Sequence, residues 1–150
     1  MITLLRTNSE NPDFRSLVQQ LDAYLAIIDG EEHAFYSQYN KVDTIKEVVV
    51  AYADEEPVGC GAIKAFEETS VEVKRMFVKA ERRGERIAQQ ILLELESWAR
   101  ELGYETCVLE TGKRQESAIA LYTRSGYEPI PNYGQYVGIE NSVCFKKSLF

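Results

Sequence analysis

The sequence has one histidine, three cysteines and four prolines in 150 residues, and the scarcities exclude several chemistries. Cys60, Cys107 and Cys144 lie dozens of residues apart, with no Cys-x-x-Cys pair. An odd, scattered set supports neither a disulfide framework nor a thiolate zinc site, so small buried thiols in a reducing cytoplasm are expected. His33 stands alone, so no metal centre is expected, and a histidine triad would have to use this one residue. No apolar run approaches the ~20 residues of a membrane span, and no basic segment followed by an apolar one suggests a secretory leader. Positive charge is also in deficit. With 17 Lys and Arg against 24 Asp and Glu, the net charge is −7, which disfavours a nucleic-acid partner, because phosphates call for a basic surface. No membrane association is expected, and the location expected is cytoplasmic.

Hydrophobic residues make up 45% and charged residues 27%, the ordinary globular range. A chain of this length buries enough surface for a core of its own, and no repeat or linker divides it, so residues 1–150 read as one domain. Ile2 to Leu5 reads as an edge strand. Phe14, Leu17, Val18, Leu21, Leu25 and Ile28 follow helical spacing until Asp29-Gly30. Glu31 to Tyr39 suggests a second, short helix. Ile45 to Ala53, Val58 to Phe66 and Val71 to Val78 form an antiparallel run of strands, with Asp54 to Pro57 as the first turn. A long helix over about Glu85 to Leu102, with Ala88, Ile91, Leu92, Leu95, Ala99 and Leu102 as its apolar stripe, is closed by Gly103. A strand at Thr106 to Thr111, a helix at Gln115 to Arg124 and strands at Tyr127 to Ile130 and Ser142 to Lys147 complete the chain. The order β-α-α-β-β-β-α-β-α-β-β predicts an α/β, mixed central sheet with helices on both faces.

The most informative stretch is Met76-Phe77-Val78-Lys79-Ala80-Glu81-Arg82-Arg83-Gly84-Glu85-Arg86-Ile87-Ala88. A strand ends, a basic turn with a glycine follows, and a long helix begins. The first N–H groups of a helix lack partners, and its dipole favours an anion there by ~0.3–1 kcal/mol. Basic residues are not the usual choice for a first turn, so Arg82, Arg83 and Arg86 point to an anion site.

This stretch resembles the GCN5-related N-acetyltransferase (GNAT) family, whose signature is Gln/Arg-x-x-Gly-x-Gly/Ala after a strand. Arg83, Gly84, Ile87 and Ala88 match, while Arg86 stands where the family has its central glycine. A second resemblance follows in Gln115-Glu116-Ser117-Ala118-Ile119-Ala120-Leu121-Tyr122-Thr123-Arg124-Ser125-Gly126-Tyr127, similar to the family's Asn-x-x-Ala-Ile-x-Leu-Tyr-x-x-x-Gly-Phe helix. Together the resemblance covers roughly Val48 to Tyr127. It implies a GNAT-type fold and acetyl-CoA as co-substrate, held by Met76, Phe77, Val78, Arg83, Gly84, Arg86, Ile87, Ala88, Gln115, Ala118 and Tyr122. It further implies Tyr122 as the acid that protonates the leaving thiolate, and Glu72 as the base, with Glu110 and a water chain as competitors.

The implied reaction moves an acetyl group to a primary amine of a small molecule or peptide. A non-catalytic CoA-binding module, in which Arg86 and Gln115 record drift, is the alternative; a dinucleotide-binding domain is disfavoured because Gly-x-Gly-x-x-Gly is absent. In relatives the acceptor site is shaped by the N-terminal helices and C-terminal strands, which here carry Tyr24, His33, Phe35, Tyr36, Tyr39, Tyr133 and Tyr136. The loop from Pro129 to Tyr136 reads as a rim of that site or as a contact in a homodimer. Strand alternation puts Glu72, Lys74 and Met76 on one face and Val71, Val73, Arg75 and Phe77 on the other. Charge is also divided: Glu72 to Arg86 holds six basic against three acidic residues, whereas Met1 to Cys60 holds four against eleven. A basic island suits a polyanionic coenzyme, and an acidic remainder suits a cationic acceptor.

Overall fold

The computed structural model describes residues 1–37 and 44–150, and at His33 and Ser37 the backbone only. Tyr39 therefore lies outside the described residues. Strands β1 (Ile2–Thr7), β2 (Glu47–Ala53), β3 (Glu56–Glu67), β4 (Ser70–Val78), β5 (Thr106–Gly112), β6 (Glu128–Ile130) and β7 (Ser142–Ser148) form one sheet. Helices α1 (Pro12–Asp29), α2 (His33–Ser37), α3 (Ile87–Glu101) and α4 (Glu116–Arg124) give the expected chain order. The spatial order is β1-β2-β3-β4-β5-β7-β6, so β7 inserts between two strands that precede it. Among the described residues no helix is long and apolar enough to cross a membrane.

Alternation along β2 builds two cores. Val48 and Val50 face α1 and meet Phe14, Leu17 and Val18. Val49 and Ala51 face the other way, into the cluster of Ile91, Leu92 and Leu95 from α3 with Leu121 and Tyr122 from α4. Each fully buried aliphatic side chain there contributes ~1.5–3 kcal/mol. Asn11 caps α1 by accepting from the N–H groups of Asp13 and Phe14 at 2.9 and 3.0 Å, ahead of Pro12 at a position that needs no donor. The three cysteines are buried and free.

Several local readings change. The β2–β3 turn is only Asp54-Glu55, both left-handed with φ of 50° and 74°, the geometry a two-residue hairpin demands; Glu56 and Pro57 already belong to β3. Helix α3 starts at Ile87, because Arg86 is itself left-handed (φ 61°, ψ 24°). Leu102 falls beyond the last turn and is 49% exposed, whereas Glu96, absent from the apolar stripe, is 1% exposed. Its carboxylate accepts from the Tyr127 hydroxyl at 2.9 Å and from Lys147 Nζ at 2.8 Å.

The face assignment along β4 holds only to Lys74. Ala62 pairs with Lys74 and Cys60 with Phe77, so Gly61 opposes both Arg75 and Met76. This bulge, with Arg75 at φ 59°, shifts the remaining side chains by one. Met76 and Val78 turn to the α3 core with Val71 and Val73, and Phe77 to the α1 core. Gly61 is required opposite the bulge, since a Cβ would strike Met76 Sδ and lie 2.9 Å from Ile91 Cγ2.

Every neighbouring pair of strands is antiparallel except β4 and β5, whose parallel pairing spans only Ser70–Thr106, Val71–Cys107 and Glu72–Val108. Beyond Glu72 the two strands part, and β5 continues against β7 to Gly112.

Candidate active site

Where β4 and β5 part, a cavity of about 150 Å³ opens through the sheet. Val71 and Val73 point to the α3–α4 side, as does Leu109. Glu72 and Glu110 therefore project to the α1–α2 side, by alternation on adjacent strands. Tyr122 arrives from the opposite side, on α4. The cavity thus has carboxylates on one face of the sheet and a phenol on the other.

Of the residues singled out in the sequence, the cavity brings together Glu72, Met76, Glu110, Gln115, Ala118 and Tyr122. Its lining does not include Phe77, Val78, Arg83, Gly84, Arg86, Ile87 and Ala88, which continue along β4 into the turn and the start of α3. From the acceptor group, Tyr36 and Tyr136 line the cavity. Tyr133 is not on its lining but donates to Glu72 Oε2 at 2.6 Å. Phe35 stacks edge-on to Tyr36 at 5.2 Å. Tyr24 instead lies under the Arg83 guanidinium at 5.5 Å, an attraction of ~0.5–1 kcal/mol at an exposed site.

Tyr122 packs edge-on to Tyr127 at 5.8 Å. Burial, reinforced by Glu110, pushes its phenol well above the ordinary range, so it holds its proton at neutral pH. Its hydroxyl makes no hydrogen bond to another described residue. Glu110 is pushed up to about 7, chiefly by burial, with the charges of Glu72 and Asp29 adding to it and Ser142 and Lys74 opposing. Its Oε2 is buried without a hydrogen-bond partner.

Residues missed in the sequence complete the walls. Leu21, Leu25 and Asp29 of α1 line the cavity, with Lys74 and Arg75 of β4. The Arg75 side chain is 1% exposed and its Nη2 meets Asp22 Oδ1 at 2.6 Å, fixing the bulge to α1. A charged residue continuing the Val71, Val73 alternation was the available signal. Asp29 carried none beyond its reading as a helix stop.

In the turn before α3, Gly84 has φ 87° and Arg86 has φ 61°. Arg86 thus adopts the left-handed backbone that a glycine at this motif position allows freely, at ~1–2 kcal/mol for a side-chain-bearing residue. The N–H groups of Ile87, Ala88 and Gln89 have no carbonyl one turn back within the helix. Arg82 pairs with Glu85 at 3.2 Å, while Arg86 is exposed and has no ion-pair partner among the described residues. Unpaired N–H donors, the positive end of the helix dipole and an arginine without an ion-pair partner thus belong to the same turn.

Comparison with known proteins identifies the family. The Acetyltransferase (GNAT) family model matches residues 9–127. An IAA acetyltransferase of Azospirillum brasilense is 32% identical over 150 residues, covering 99% of this chain and 98% of the relative. A solved Klebsiella pneumoniae protein, whose proposed activity is acyl-CoA N-acyltransfer, superposes with a TM-score of 0.84 at 32% identity, covering 100% of this chain and 99% of the other. The PaiA N-acetyltransferase of Thermoplasma acidophilum, solved with coenzyme A, shares the fold at a TM-score of 0.73 and 16% identity, over 99% of each chain. The chain belongs to the GNAT family and is an N-acetyltransferase.

Proposed function

We propose that residues 1–150 act as one domain that moves an acetyl group from acetyl-CoA to a primary amine by direct attack on the thioester. The observation that carries this reading is the cavity crossing the sheet, with carboxylates on the α1–α2 face and Tyr122 on the other. The pyrophosphate would rest on the N–H groups at the start of α3, beside Arg83, Gly84, Arg86, Ile87 and Ala88. The pantetheine arm would follow β4 at Met76, Phe77 and Val78, with Gln115 and Ala118 on the facing wall. An ammonium acceptor, entering on the acidic side, gives one proton to a carboxylate, Glu72 or Glu110, and becomes the nucleophile. The N–C bond forms as the C–S bond breaks, and the sulfur takes the Tyr122 proton. The second proton lost by nitrogen replaces the one Tyr122 gave.

Calorimetry with acetyl-CoA, followed by thiol release against amino acids, polyamines, aminoglycosides and peptide N-termini, tests this reading. Binding together with thiol release for at least one primary amine is expected. Binding without release for any amine would leave a CoA-binding module in its place.

The turn yields a separate expectation. Arg86→Gly should raise stability in urea unfolding by ~1 kcal/mol by relieving the left-handed strain. It should also weaken acetyl-CoA binding by roughly fivefold, through loss of ~1 kcal/mol of charge attraction. Tighter coenzyme binding in calorimetry would instead mean that the side chain obstructs the phosphates.

A further inference from the structure

We infer that Glu110, rather than Glu72, takes the proton from the acceptor ammonium, and that Glu72 is a positioning residue. The inference rests on the amine-acetylation reading and divides the labour between the two carboxylates of that site. Their surroundings differ in kind. Glu72 Oε2 already accepts from the Tyr133 hydroxyl at 2.6 Å, and Oε1 lies 3.7 Å from Lys74 Nζ. Protonating Glu72 would weaken the ion pair and compete with the tyrosine's hydrogen bond. Glu110, one strand away and lining the same cavity, has a buried Oε2 with no partner at all. A buried carboxylate oxygen without a donor is the costlier group to leave charged, so it gains most from a proton delivered by substrate.

Glu110 is also the group whose affinity for a proton suits the task. It is pushed up to about 7, close to the working pH at which a base both stands free and accepts readily. The groups that face it from the surrounding elements are Glu72 and Lys74 of β4, Asp29 of α1, Tyr36 of α2, Tyr122 of α4, Tyr136 of the loop before β7 and Cys144 of β7. Ser142 of β7 supplies a hydrogen bond that favours the charged form. Arg75, the other cation on the wall, is engaged by Asp22. In the step itself the ammonium N–H bond breaks, the O–H bond forms on Glu110, and the nitrogen keeps the lone pair that attacks the carbonyl carbon. Glu110 returns its proton to solvent after the amide leaves.

The experiment measures kcat/KM against pH for the best amine of the screen in the wild type, Glu110→Gln and Glu72→Gln. The wild type is expected to show an acid limb near pH 7. Glu110→Gln should lose that limb and fall at least tenfold at pH 7.5. Glu72→Gln should keep the limb, displaced to lower pH because a neighbouring negative charge is gone, and should raise the amine KM more than it lowers kcat. A limb that persists in Glu110→Gln, or vanishes in Glu72→Gln, overturns the assignment.

Thermal melts add a readout that needs no amine. A carboxyl raised in the folded state binds its proton more tightly there than in the unfolded chain. Its contribution is therefore lost as pH rises from about 4.5 to about 7. Glu110→Gln should melt higher than the wild type at pH 8.5 and lose that advantage at pH 5. Equal pH dependence in both proteins would also overturn the assignment, whereas failure of every amine in the screen would count against the acetyl-transfer reading alone.

Discussion

Tyr122→Phe is expected to lower kcat about a hundredfold, the lower range for loss of a general acid, while acetyl-CoA affinity in calorimetry stays within twofold. The substitution removes one oxygen and leaves the ring in its packing against Tyr127 and Phe145. The hydroxyl makes no hydrogen bond to another described residue, so its removal strands no buried partner and the fold should keep its stability. Burial holds the phenol protonated at neutral pH, so the wild type has a donor ready for the leaving thiolate. Without it the sulfur departs as an anion into an apolar setting. The deficit should shrink with acyl donors whose leaving thiol is more acidic, since these need no proton. Unchanged turnover in Tyr122→Phe would remove the acid role.

Glu96→Ala is expected to destabilise the protein by ~3 kcal/mol, because it removes a buried carboxylate that pairs with the Lys147 ammonium, whose side chain is 23% exposed, and accepts from the buried Tyr127 hydroxyl. For a chain of this length that corresponds to a fall in Tm of roughly 6–12 °C. Glu96 is 1% exposed and ties three elements together: α3 through its own backbone, β7 through Lys147, and the chain after α4 through Tyr127. Truncation leaves the Lys147 ammonium and the Tyr127 hydroxyl without their acceptor, in addition to a cavity. The triple replacement Glu96→Leu, Tyr127→Phe, Lys147→Met should recover most of the loss, because no polar group then remains unpaired. Urea unfolding of the single and triple variants separates the two terms. Equal losses in both would show that packing volume, rather than the ion pair, sets the cost.

The sequence carried the parts of this molecule that depend on local pattern. Helical and strand spacing marked the elements in order, and the turn before α3 stood out by basic residues where a helix start ordinarily favours acids. Two features escaped for a shared reason: they depend on one residue departing from a regular period. Arg75 takes a left-handed backbone, so alternation misplaced Met76 and Phe77. Arg86 does the same, so α3 begins two residues later than the pattern suggested. Glu96 escaped because a carboxylate on a helix reads as solvated until its partners, 31 and 51 residues away, are known. The contrast between Glu72 and Glu110 was equally out of reach. Both are acids on apolar strands; Lys74 was legible as a same-face neighbour of Glu72, but the hydrogen bond from Tyr133, 61 residues away, was not.

The parting of β4 and β5 has a consequence for solubility. From Val73 to Val78 one edge of β4 has no strand beside it among the described residues, although it lies in the middle of a sheet. Unpaired strand edges invite pairing with another chain, and natural sheets resist this with bulges and inward-pointing charges. Both devices occur on this stretch, as the Arg75 bulge and the adjoining Lys74 and Arg75 side chains. The gap through which reactants would meet across the sheet thus carries its own guard against a foreign strand, and smoothing the bulge should make the protein more prone to aggregate as well as misalign its site.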